Sequence, residues 1–242
     1  MTTIAPNFLV KNAAELRDQP AEYQDLIRKI IISHALNELT GATVYDEPAI
    51  AFAPTPYWKW LTCRVAMEEY GHHVRFSEMG QEIGVPAAEM LPATASKKSL
   101  SIFDATLGSW VEFCVIKMIG DLAEILQVED LLKCTYVPLR TAARITMPEE
   151  KFHAKFGEDA CTEIARTPEG RAELQATIDA IFPTLPAFFG RAKSKNNALF
   201  RQWGIKERTN EDMRADYMER CRVLVEDKLG LKLPLVTFDD LS

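Results

Sequence analysis

The sequence predicts an all-α fold, a four-helix bundle followed by additional C-terminal helices. Three observations carry that reading. Apolar residues recur at helical spacing over long segments, no stretch of useful length alternates with period two, and the helical segments form two pairs separated by one long polar crossover.

Residues 1–20 read as a loosely attached lead-in. From Glu22 to about Thr43, Leu26, Ile30 and Ile31 mark the buried face of a first helix that stops at Gly41. "TVYDEPAIAFAPTP" carries three prolines and reads as a loop. A second helix runs from about Tyr57 to Ile83, with Gly84 and Pro86 beyond its end. "VPAAEMLPATASKKSLS" is the crossover, expected to end near an N-cap such as Ser101. A third helix is expected over about Ile102–Leu132 and a fourth over about Val137–Arg166, with too few residues between them for anything but antiparallel neighbours. Within the fourth, Pro148 removes a backbone N–H and crowds the carbonyl of Arg144, which predicts a kink or bulge. Two further helices follow: "GRAELQATIDAIFPTLPAFFGRA", interrupted by Pro183 and Pro186, and "NEDMRADYMERCRVLVEDKLG" after a cap at Asn210. Residues 230–242 read as an extended tail, and no linker divides the chain, so residues 1–242 are expected to form a single domain. Two helical pairs joined by one crossover is the connectivity of ferritin-like bundles.

At 242 residues and 47% hydrophobic content the chain can bury one substantial core. A net charge of -7 supplies no general basic surface for nucleic acid or anionic lipid, so neither is an expected partner. The cysteines (Cys63, Cys114, Cys134, Cys161, Cys221) are odd in number and form no Cys-x-x-Cys pair; they read as reduced thiols of a cytoplasmic protein. No segment reaches the roughly 18 apolar residues of a membrane span, and the N-terminus has no export signal pattern.

The chemistry is concentrated in "MEEYGHHVRF". Glu69 and His72 stand at i, i+3, on one face of a helix, where they can share a metal ion. Glu150 and His153 repeat that spacing on the fourth helix. A two-metal carboxylate bundle also needs one carboxylate from each remaining helix. The first helix offers Glu38, 31 residues before Glu69, and the third offers Asp121, 29 residues before Glu150. The two halves then superimpose with offsets of 83, 81 and 81. Glu112 and Glu124 are alternatives on the third helix; Glu112 is about half a turn out of phase with Asp121 at roughly 100° per residue, whereas Glu124 is i+3 from it and can join or replace it.

The remaining histidines, His34, one turn before Glu38 on the same face, and His73, read as readily as satisfied core or surface residues as they do as parts of the site, and Glu68 reads as a group flanking it or on the surface. Four buried carboxylates would be neutralised by two divalent cations, and an imidazole–carboxylate set suits iron or manganese. The blander alternative pairs these carboxylates with Arg64, Arg75, Lys117 and Arg144 on solvated faces, which leaves the repeated spacing unexplained.

Beyond those motifs, "LIRKIIISHALNELTG", "EEYGHHVRFSEMGQEIG", "SIFDATLGSW", "IGDLAE", "EEKFHAKFGEDA" and "KERTNEDMRADYMERC" carry a resemblance over about residues 20–235. The chain resembles the catalytic chains of the phenylacetic acid catabolic protein family, ferritin-like di-iron monooxygenases. The resemblance implies Glu38, Glu69, His72, Asp121, Glu150 and His153 as ligands of two iron ions, and it favours Asp121 over Glu112. It implies O2-dependent epoxidation or hydroxylation of an aromatic acyl-CoA such as phenylacetyl-CoA. The family also contains a related structural subunit without a functional metal site; this chain keeps all six ligand positions. No Gly-x-Gly-x-x-Gly fingerprint occurs, so electrons are expected from a separate reductase. A related structural subunit or a second copy is the other expected partner. "RAKSKNN" offers three cations for CoA phosphates but reads more readily as an ordinary solvated loop. Rival readings are a non-catalytic scaffold, an iron-storage bundle, or a di-iron oxidase with another substrate.

Overall fold

The computed structural model describes residues 8–96, 103 and 106–236. Among them the regular structure is helical, with one isolated β-bridge between Val10 and Tyr136. That bridge ties down part of the lead-in that was expected to be loosely attached. The lead-in is held by hydrogen bonds from Val10 N–H to the Thr135 carbonyl (2.9 Å) and from Val137 N–H to the Val10 carbonyl (2.8 Å). It also carries a short helix α1 (Ala13–Arg17) whose Leu16 is buried.

α2 (Ala21–Gly41) does not end at its glycine. It continues through a π-helical turn, Ala42–Asp46, into α3 (Glu47–Phe52), so the segment expected as a loop is largely helical. The prolines misled because Pro48 is accommodated directly after the π-turn, at the start of α3, and Pro56 lies in the first turn of α4 (Pro56–Glu82), where no intrahelical N–H is lost. Thr55 caps α4 by accepting from Trp58 N–H. The third helix starts later than expected, at Trp110, with Ser109 as its cap; Ser101 lies outside the described residues. It comprises α5 (Trp110–Val115), a second π-turn (Ile116–Gly120) and α6 (Asp121–Leu131). α7 (Val137–Ile164) keeps its α-helical course through Pro148, and the bulge falls on the neighbouring helix at 116–120 instead.

Residue pairings show how the helices run. Along α2 and α4, Arg28 reaches the Ile83 carbonyl and His73 the Ala35 carbonyl, so the two are antiparallel. Along α4 and α7, Arg75 meets Glu149 and Glu68 meets His153, giving the same antiparallel sense. α7 packs on α5, α6 and the π-turn between them, closing the four-helix core of a ferritin-like bundle. Trp58, Trp110, Phe113 and Phe156 fill one end of it with edge-on and tilted rings.

After α7 come α8 (Pro168–Ile181), a 3-10 stretch (Phe182–Phe189), α9 (Lys195–Gln202), α10 (Asn210–Arg222) and a π-helical end (Val223–Lys228). α9 was not expected. Its cap is Ser194, inside the segment read as a solvated loop. α10 is capped by Thr209, not Asn210, in a reciprocal box with Asp212. Residues 231–236 have no regular structure and lie along α8, where Gln175 bonds both the Lys232 carbonyl and N–H.

Candidate metal centre

Four helices each turn carboxylates or imidazoles inward at one level. α2 supplies Glu38, α4 supplies Glu69 and His72, α6 supplies Asp121, and α7 supplies Glu150 and His153; none is more than 7% exposed. Their potential ligand atoms form two sets, Glu38–Glu69–His72–Glu150 and Glu69–Asp121–Glu150–His153, and within each set the atoms lie within 4.8 Å of one another. Glu69 and Glu150 belong to both. In the first set, His72 Nδ1 is 3.1 Å from Glu150, 3.3 Å from Glu69 and 3.6 Å from Glu38 oxygens. In the second, His153 Nδ1 is 3.1 Å from Glu69 and 3.8 Å from Glu150 oxygens.

The outer nitrogens are held by a crossed pair of carboxylates. His72 Nε2 lies 2.9 Å from Glu149, on α7, and His153 Nε2 lies 2.9 Å from Glu68, on α4. Ionised carboxylates only accept, so each Nε2 donates and each Nδ1 faces the cluster. Arg75 grips Glu149 with two hydrogen bonds (2.7 and 3.0 Å), and Arg64 holds Glu68 at 2.9 Å. These two arginines thus serve the flanking glutamates rather than the six central groups.

Lys117 behaves differently. It is 3% exposed, and its ammonium sits 2.7 Å from Glu69, 3.0 Å from Asp121 and 3.1 Å from Asp46. Both Lys117 and Asp46 lie in π-turns, and a π-turn re-aims the side chains of the helix it interrupts.

Electrostatics follow from that crowding. Burial pushes the Asp121 carboxyl well up, against the pull of Lys117, and pushes Glu150 up, with Glu69 adding to the shift. Glu69 goes the other way: although burial opposes it, Lys117 and His153 hold it well below the usual carboxylate range. Burial alone would lower His153, but Glu69 and Glu68 raise it to about 10. Burial raises Asp46 to about 6, with Lys117 opposing.

The donor set fits a pair of divalent cations. His72 Nδ1, His153 Nδ1 and both oxygens of Glu150 are buried and make no hydrogen bond; their mutual approaches have ion-pair distances without hydrogen-bond angles. No described cysteine joins either set, so the chemistry is that of oxygen- and imidazole-seeking metals.

Of the alternatives, Glu112 is not at the site: its carboxylate accepts from Gly108 N–H (2.6 Å) at the start of α5. Glu124 lies beside the site, grouped with His34 and Glu38, and burial raises its carboxyl well above normal. His73 points away to the Ala35 carbonyl (2.8 Å), and His34 stacks on Phe76. Sequence reasoning missed Glu149, Asp46 and the burial of Lys117. Glu149 was readable, because the full repeat is Glu-Glu-x-x-His at 68–72 and 149–153. Lys117 left one trace, a lone cation inside the apolar run "FCVIKMIG".

Two cavities reach this level. One of about 60 Å³ opens on Glu38, Glu69, Lys117, Asp121 and Asp46. A larger one of about 530 Å³ touches His34 and extends to Lys29, Ser194 and Asn196. Asn37, Glu124 and Phe188 line both.

The molecule is therefore a ferritin-like helical bundle with a duplicated carboxylate–histidine cluster in its core. The family model for phenylacetic acid catabolic proteins matches residues 3–239, and the chain belongs to that family. It is 27% identical over 230 residues to a subunit of the 1,2-phenylacetyl-CoA epoxidase of Escherichia coli (strain K12), an alignment covering 93% of this chain and 74% of that protein. Among the described residues no helix is long and apolar enough to cross a membrane.

Proposed function

We propose that the protein is an O2-dependent monooxygenase that epoxidises or hydroxylates an aromatic acyl-CoA such as phenylacetyl-CoA. Its ligands are Glu38, Glu69, His72, Asp121, Glu150 and His153, arranged around two iron ions. The observation that carries this is the pair of buried quartets sharing Glu69 and Glu150 in a chain of this family. The iron pair, when bound, supplies the activation of O2.

The chain's own residues do the rest. Glu68 and Glu149 fix both imidazoles with Nδ1 inward, and Arg64 and Arg75 hold those carboxylates in place. Tyr45, Ile116, Leu185 and Phe188 give the smaller cavity an apolar wall beside the carboxylates, suited to an aromatic acyl end and to excluding water. The larger cavity has polar groups toward its outer part, Lys29, Ser194 and Asn196, which suit the polar length of a thioester carrier. Of the "RAKSKNN" segment, Ser194, Asn196 and Asn197 line it, while its three cations do not. The protein works as a single cytoplasmic domain with a separate reductase, alongside a related structural subunit or a second copy.

One observation favours the scaffold alternative: Lys117 already neutralises part of the cluster without a metal. Anaerobic iron titration separates the readings. Two ferrous ions per chain, falling below one in Glu150→Ala, are expected of the oxygenase, since Glu150 serves both quartets. Fewer than one iron in the wild type points to the scaffold. Loaded protein supplied with reductant, O2 and a panel of acyl-CoA esters then identifies the substrate by oxygenated product.

A further inference from the structure

The charge on Lys117 is shared unequally between the two quartets. Two of its three partners, Glu69 and Asp121, belong to the His153 quartet, and the oxygen it binds most closely, Glu69 Oε1, is the same atom that lies 3.1 Å from His153 Nδ1. Glu38 and His72, which define the other quartet, have no ion pair with it. An ammonium at 2.7–3.0 Å from two carboxylates already supplies them with the positive charge that a divalent cation would bring, and it competes with one for the same oxygens. Its third partner, Asp46, is in neither quartet. Asp46 and Lys117 both line the cavity of about 60 Å³, so the flexible stem has room to move its head group toward Asp46.

We propose that Lys117 is a resident cation of the His153 quartet, displaced onto Asp46 when a metal enters, so that the His72 quartet fills first and the His153 quartet second. This rests on the reading of the quartets as metal sites. Charge bookkeeping at the cluster supports it. With metal in the first quartet alone, Lys117 still balances Glu69 and Asp121; with metal in both, Asp46 keeps the displaced ammonium from being buried without a partner. Asp46 is thus a positioning residue for Lys117.

The test is anaerobic titration of the metal-free protein with cobalt(II), followed by calorimetry and visible absorption. The wild type is expected to bind in two resolved steps, with His153→Ala removing the weaker step and leaving the tighter one. Lys117→Met should tighten the weaker step by about tenfold or more, and Asp46→Asn, which strands the ammonium on Glu69 and Asp121, should weaken it by about tenfold, within the range seen for residues supporting metal ligands. The double variant Asp46→Asn/Lys117→Met removes one charge of each sign, keeps the buried cluster balanced if Lys117→Met alone fails to fold, and should bind like Lys117→Met. Two steps unchanged by removing Lys117 overturn the proposal while leaving the metal reading intact. Equal weakening by Asp46→Asn with and without Lys117 overturns it as well, since Asp46 would then act on its own. No cobalt bound by any variant overturns the metal reading and this proposal with it.

Discussion

Glu149 and Glu68 show how much of this site depends on residues that would never touch a metal. Each holds the histidine of the opposite motif at 2.9 Å, so the two Glu-Glu-x-x-His repeats lock each other across the bundle. Glu149→Gln should weaken metal binding by about 10- to 100-fold without changing the fold, because the amide still fills the site but no longer presents two acceptors to His72 and Arg75; metal titration with circular dichroism as a folding control measures this. Asp121→Asn should cost one metal per chain and Glu124→Gln none, a stoichiometry that elemental analysis reads directly. An equal loss from Glu124→Gln would move the third-helix ligand to that residue. The six central groups were legible because their spacing repeats along one chain. Lys117 and Asp46 were not, because the pairs Lys117–Glu69 and Lys117–Asp46 join residues 48 or more apart in sequence and exist only after the helices pack.

At the scale of elements, the π-turns mattered most and were least visible. A turn with one extra residue leaves no composition signal, and Ala42–Asp46 was further disguised by the prolines that follow it. α9 hid for a related reason: eight polar-rich residues after a Ser cap resemble a loop until Leu199 and Phe200 pack against the core. The second π-turn is seated against α7 at Gly157. A Cβ there would lie 2.6 Å from the Lys117 carbonyl carbon and closer still to Met118 N, so backbone would have to move. Gly157→Ala should therefore destabilise the protein by about 1–3 kcal/mol in urea unfolding. It should also disturb metal binding more than its distance from the ligands suggests, because it shifts the turn that carries Lys117 ahead of Asp121. Unchanged stability would show that this close approach is not needed.

For the whole molecule, the proposed metal sites have the consequence that stability should follow metal content. The bundle gathers five carboxylates, Asp46 included, two imidazoles and an ammonium into one buried level, while the C-terminal region clamps the third helix from outside through Arg220 on Glu129 and Arg208 on Asp130. The Arg220–Glu129 pair is partly solvated and contributes modestly, whereas the Asp130 carboxylate is buried and also accepts from the Glu207 and Arg208 N–H groups. A ligand that binds only the folded chain adds about 2.7 kcal/mol at a hundredfold excess over its dissociation constant, and a domain of this size gains about 2–4 °C per kcal/mol. Saturating one site with ferrous iron under anaerobic conditions should therefore raise Tm by about 5–10 °C, reversed by chelator. Filling the second site should add a smaller increment, because displacing Lys117 from Glu69 and Asp121 offsets part of the gain. In Lys117→Met that asymmetry should disappear: the metal-free protein should melt lower than the wild type, with buried carboxylates unbalanced, and the fully loaded protein should recover most of the difference. Differential scanning calorimetry of the two chains, metal-free and loaded, reads all four states. Identical melting of loaded and chelated wild type would mean that the cluster is a structural charge network closed by Lys117, and that the bundle folds around it without metal.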